Sequence, residues 1–276
     1  MTRHEKLTRD NVIRTLVDAL KPLDYVDAFW EGGAAAFGRI DEWSDVDLYI
    51  VVDDERVGEA FLAVENALKS LSPIEQKYEV LHPPSLHLSQ AFYKLADASE
   101  YLLIDLAILT PNSPEKFLEP AIHGNAIFHF SKSDQVKPLP LDREALARKL
   151  RERFERLRAR FAMFNSFVQK EINRGNYLEA LDFYRAYTLG TLVEALRIRH
   201  NPFHHNFRMH YIYYELASEI VRRLEHLHFV KDAKDLQEKY DEATKWFAEL
   251  ASETHSGEME ELIRASLDLA WAKTSA

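Results

Sequence analysis

Residues 33–48 read Gly-Ala-Ala-Ala-Phe-Gly-Arg-Ile-Asp-Glu-Trp-Ser-Asp-Val-Asp-Leu. A turn of small residues opens the stretch. An Asp-x-Asp pair closes it, with Asp45 twelve positions after Gly33 and an apolar run directly behind. Successive β residues point to opposite faces, so Asp45 and Asp47, two apart, share one. Adjacent carboxylates repel unless a cation lies between them. All-oxygen donors favour magnesium or manganese over zinc. The stretch therefore predicts a strand that carries a site for a hard divalent cation.

Upstream, Val12, Ile13, Leu16, Val17 and Leu20 have helical spacing over 8–20, and Pro22 stops the helix. Residues 24–31 read as a strand ending at Glu31, followed by a turn at Gly32 and Gly33. Downstream, 46–52 reads as a strand buried on both faces, and 56–71 as an amphipathic helix. Strands are expected near 76–81 and 89–94, either side of Pro83–Pro84, at 101–109, and at 126–130. Asp105 lies within the strand at 101–109, flanked by Leu102, Leu103, Ile104, Leu106 and Ile108. A carboxylate in such surroundings is costly unless it is paired or binds metal. A two-metal site needs about three carboxylates, and Asp105 is the candidate third.

Lys-Pro-Leu-Pro-Leu at 137–141 reads as a linker. Beyond it nearly every window has helical period, with helices expected near 142–172, 177–199, 207–227, 232–253 and 258–272. The expected fold class is α+β: a small mixed β-sheet domain over 1–136, then an all-α helical bundle domain over 142–276.

The chain has 276 residues, 46% hydrophobic and 29% charged, and a net charge of −10. An acidic balance argues against nucleic acid as a partner, because phosphate binding wants a basic surface. There are no cysteines, which excludes disulfides and thiolate metal sites. No apolar run reaches membrane-span length, and the first residues show no secretion signal, so a cytoplasmic location without a membrane partner is expected. The apolar helical half leaves room for a homodimer.

The motif resembles that of the nucleotidyltransferase superfamily related to DNA polymerase beta. Gly33, Gly38, Arg39, Ser44, Asp45, Asp47 and Leu48 match its pattern in order, and Asp105 matches its third acid. The likeness covers about residues 8–130. With a helical domain following, the layout is similar to the aminoglycoside and lincosamide adenylyltransferases of antibiotic resistance. The resemblance implies ATP and Mg2+ as cofactors, and transfer of AMP to a hydroxyl of a small molecule. It implies Asp45, Asp47 and Asp105 as metal ligands, with Gly33 and Ala34 cradling the triphosphate and Arg39 and Ser44 beside it. The family places serine where this chain has Ala34. That removes one hydrogen bond to a charged group, typically about 1.5–3 kcal/mol, and makes a weakened nucleotide-binding relative the alternative.

Transfer also needs a base for the acceptor hydroxyl. Glu79, in an expected strand upstream of Asp105, is the candidate, with Glu75, Asp182 and Glu194 behind it. The aromatic stretch from Tyr184 to Tyr214 reads as core or as an acceptor wall. Arg199-His200-Asn201-Pro202-Phe203-His204 resembles the Arg-x4-His motif of the helical ribonuclease toxins called HEPN. That opens a second alternative, a toxin–antitoxin module modifying protein or RNA.

Overall fold

A computed structural model describes residues 7–252, 261 and 263–268. The fold is mixed α+β, and the chain divides into two compact units, Met1–Leu141 and Asp142–Ala276. Among the described residues no helix is long and apolar enough to cross a membrane.

The first unit holds a six-stranded mixed sheet. Its strands are β1 (Val26–Glu31), β2 (Val46–Val52), β3 (Ile74–Val80), β4 (Leu88–Leu95), β5 (Ile104–Leu109) and β6 (Ile127–Ser131), in the order β3-β4-β5-β2-β1-β6. Strands β2 and β5 run parallel, and the other neighbouring pairs run antiparallel.

Two helices, α1 (Arg9–Leu20) and α3 (Val57–Leu71), cover one face of the sheet, and two short ones, α2 (Gly33–Ala36) and α4 (Pro120–His123), belong to its connections. Thr8 starts α1 through a capping box with Asn11, satisfying backbone donors that the first helical turn leaves open. Val12, Leu16 and Leu20 of α1 and Ala60, Val64 and Leu68 of α3 pack on Leu48, Ile50, Ile104, Leu106 and Ile108 in one core. Alternation then puts Asp47, Tyr49, Asp105 and Ala107 on the opposite face. That face has its own smaller core, in which Trp30 stacks on Tyr49 at 5.4 Å and on Phe128 at 5.6 Å. It is partly open at Asp47 and Tyr49, so β2 is not closed on both sides as expected.

The second unit is helical. Helices α5 (Arg143–Phe164) and α6 (Ser166–Arg174) replace the single helix expected to 172, with the break at Asn165. After α7 (Tyr177–Phe183) comes one π-helical segment, Tyr184–Leu189, and then α8 (Gly190–His200). The expected helix at 207–227 is replaced by turns, a short α9 (Ile212–Glu215) and α10 (Ser218–His228). Helix α11 (Ala233–Ser252) follows. Residues 263–268 are helical, and the rest of the helix expected at 258–272 lies outside the described residues, apart from helical 261.

Candidate functional site

Three aspartates converge on the sheet face away from α1 and α3. Asp47 and Asp105 are direct register partners on the parallel strands β2 and β5. Asp45 stands two residues before Asp47, at the mouth of β2. Burial, then the charges of Asp45 and Asp105, push the Asp47 carboxyl up to about 7. Burial and Asp45 also raise Asp105, although a hydrogen bond from Gln90 opposes the shift. Neighbouring like charges make ionisation costly, and a bound cation would reverse that cost.

The small-residue turn sits on this cluster. Gly32 donates its N–H to the Asp47 carbonyl at 3.0 Å, which ties the end of β1 to β2. Four residues, Gly33–Ala36, form the short α2, and the Ala34 N–H donates to the Asp47 carboxylate. Gly33 has φ +51, and a Cβ there would lie 1.7 Å from Asp47 Oδ2. Glycine is therefore required for two reasons: a left-handed backbone, and a carboxylate filling the space a side chain would need.

The donor set suits a hard divalent cation. It is carboxylate oxygen from three aspartates, and among the described residues Asp105 is bonded by Gln90 and not by a lysine or arginine. Among the described residues, the set of ligand atoms all within 4.8 Å of one another is Glu115, Glu119 and His123. The three aspartates as a set are spaced more widely than that. The Glu115 group was not singled out above, although its four-residue spacing is visible in the sequence. It lies near the same face, since Phe117 contacts both the His123 ring at 5.4 Å and the Tyr49 ring at 5.6 Å.

Behind the cluster is a second group that periodicity does not reveal. Glu31, 5% exposed, accepts hydrogen bonds from Arg9 and, at 2.7 Å, shares one with His129. Arg9 also donates to the Asp45 backbone carbonyl. Burial would raise the Glu31 carboxyl, but the bonds from His129 and Arg9 outweigh it and hold it low. Arg9 thereby ties α1 and β1 to the loop that carries Asp45.

Other expected residues fall differently. Arg39 lies over the Phe37 ring at 5.0 Å. Ser44 caps a turn: its Oγ donates to Asp41 Oδ1 at 2.8 Å and accepts from the Asp41 N–H at 2.9 Å. Glu79 requires a correction. It pairs with Ala91, which pairs with Leu106, so all three point to the α3 side, opposite Asp105. There Glu79 is exposed and bonded to Lys77 at 2.5 Å, which in turn holds Glu65 of α3. It is not placed to serve the aspartates. Of the lesser candidates, Glu194 is bound by Arg153, and Glu75 and Asp182 are exposed.

In the helical unit, Tyr184 is fully buried and its hydroxyl donates to the Leu227 carbonyl at 3.0 Å, a core role. His204 is also buried, with Nδ1 2.8 Å from Glu215 Oε1. Glu215 accepts a second bond from fully buried Arg197 at 2.7 Å. Burial alone would raise Glu215, but His204 and Arg197 bring it down to about 2. This network locks the 201–215 connection, and it gives His204 a task within the fold.

No family model matches the chain, and no curated protein matches it.

Proposed function

We propose that the protein is a magnesium-dependent nucleotidyltransferase that moves AMP from ATP to a hydroxyl of a small molecule, with aminoglycoside and lincosamide antibiotics as the first acceptors to try. One observation carries the reading: Asp47 and Asp105 stand side by side in register, with Asp45 adjacent and the Gly33 turn closed onto Asp47. Divalent cations at such a site neutralise phosphate charge and align the attacking and leaving oxygens. In this reading Asp45 and Asp47 would hold the cations, and Asp105 would complete the site on the acceptor side. The Gly33–Ala34 turn borders the triphosphate. Arg9 keeps the Asp45 loop in place from behind. Glu79 has no part in it.

The ribonuclease alternative needs His204 open to substrate beside Arg199, and the buried bond from His204 to Glu215 counts against it. The test is a pyrophosphate-release screen with ATP and Mg2+ over a panel of aminoglycosides, lincosamides and other hydroxylated small molecules. Release that depends on one acceptor and disappears in Asp47→Asn supports the reading. Release that persists unchanged in Asp47→Asn defeats the assignment of roles, and a blank across the panel moves the acceptor to protein or RNA.

A further inference from the structure

Gln90 and His82 have no role in the reading above, yet Gln90 holds Asp105 and His82 holds Gln90. Gln90 Nε2 donates to Asp105 Oδ1 at 2.7 Å, and His82 Nε2 lies 2.9 Å from Gln90 Oε1. The sheet register brings the first contact within reach. Phe92 is the register partner of Asp105, and Gln90, two residues along β4, is the partner of Ala107. Gln90 therefore lies on the aspartate face, one diagonal step from Asp105, within reach of a long side chain. Val80 is the register partner of Gln90, and His82 follows two residues later, where the chain leaves β3.

Chemistry gives this chain of groups a direction. An ionised carboxylate only accepts, so Gln90 must present its NH2 to Asp105 and its Oε1 away from it. His82 must then carry its proton on Nε2. The amide is fixed at both ends, and so is the carboxylate rotamer. A lysine or arginine at position 90 would also orient Asp105, but it would cancel the charge that attracts a cation. A neutral amide orients without neutralising, and it occupies Oδ1 while leaving Oδ2 for coordination.

We propose that Gln90 and His82 are positioning residues that set the Asp105 carboxylate for a divalent cation, an inference that rests on the cation-site reading above. Partners of this kind typically change metal affinity by about 10–100-fold when removed.

The test uses the full-length protein and Mn2+ alone, with free Mn2+ followed by electron paramagnetic resonance. Gln90→Ala is expected to weaken binding about tenfold, and His82→Ala to weaken it by less. His82→Gln, whose amide nitrogen can take the place of Nε2, is expected to recover most of the loss. Asp105→Asn sets the floor. If Gln90→Ala binds like wild type while Asp105→Asn is impaired, the positioning role fails and the cation site stands. If wild type binds no Mn2+, both fail. A metal-free readout checks the chain itself: the Gln90 side-chain amide resonances must move in both His82→Ala and Asp105→Asn. Resonances that stay put in either variant overturn the proposal, however the metal behaves.

Discussion

The backbone of Gly33 touches the space of Asp47: a Cβ at position 33 would stand 1.7 Å from Asp47 Oδ2. Gly33→Ala must therefore displace the carboxylate and hold an alanine at φ +51. The left-handed backbone costs roughly 1–2 kcal/mol and the overpacking roughly 1–3 kcal/mol. The expected result is a lower melting temperature together with loss of Mn2+ binding. A variant with wild-type affinity for Mn2+ would show that Asp47 is not held where it matters.

Asp47 also makes a prediction of opposite sign for stability. Its folded pKa is about 7 against an ordinary 3.8. The folded state thus binds a proton more tightly than the unfolded chain, and stability falls as pH rises from about 4 to 7. Without added metal, Asp47→Asn is expected to be more stable than wild type at pH 8 by roughly 2–4 kcal/mol. The difference should vanish below pH 4. Urea melts at the two pH values check this, and a variant less stable at pH 8 would refute it.

Glu215 gives the reverse case. Its folded pKa, about 2, lies below the ordinary 4.5. Its contribution is present above pH 4.5 and is lost as pH falls toward 2. The shift corresponds to roughly 3 kcal/mol. Glu215→Gln leaves Arg197 buried without its counter-charge, a loss on the order of 3–5 kcal/mol at neutral pH. Its acid denaturation should also be shallower than wild type. Identical acid limbs for the two proteins would rule out this role.

Ala34 stands where the resembling enzymes carry serine. Ala34→Ser is expected to tighten ATP binding in the presence of Mg2+ by about tenfold, the lower end of a hydrogen bond to a charged group. Isothermal titration measures it directly. No gain in affinity would mean that the triphosphate does not lie against this turn.

The strands were legible in the sequence where one physical rule dominates. The strand at 46–52 was legible because a continuous apolar run behind Asp-x-Asp leaves little else for it to be. Asp105 stood out because a lone acid among five aliphatic neighbours demands a partner. Glu79 was misplaced because membership in a sheet says nothing about face until register is known, and the pairing of Glu79 with Ala91 and Leu106 fixes that face. The break at Asn165 was missed because its cause is not local. Asn165 donates to Tyr240 and Thr244 and accepts from Thr188, groups more than twenty residues away.

By itself, the sequence determined which residues alternate, which stretches coil, and where acids interrupt apolar runs. Those features depend on backbone geometry and on the aversion of charge to apolar surroundings, both of which act over a few residues. The tertiary structure decided the rest. It set Asp47 against Asp105 across two parallel strands, brought Gln90 to the Asp105 carboxylate and His82 to Gln90, and drew Arg9, Glu31 and His129 together behind Asp45. Such contacts join positions from 8 to 98 residues apart, and their partners are chosen by strand order and register, which only the assembled core selects.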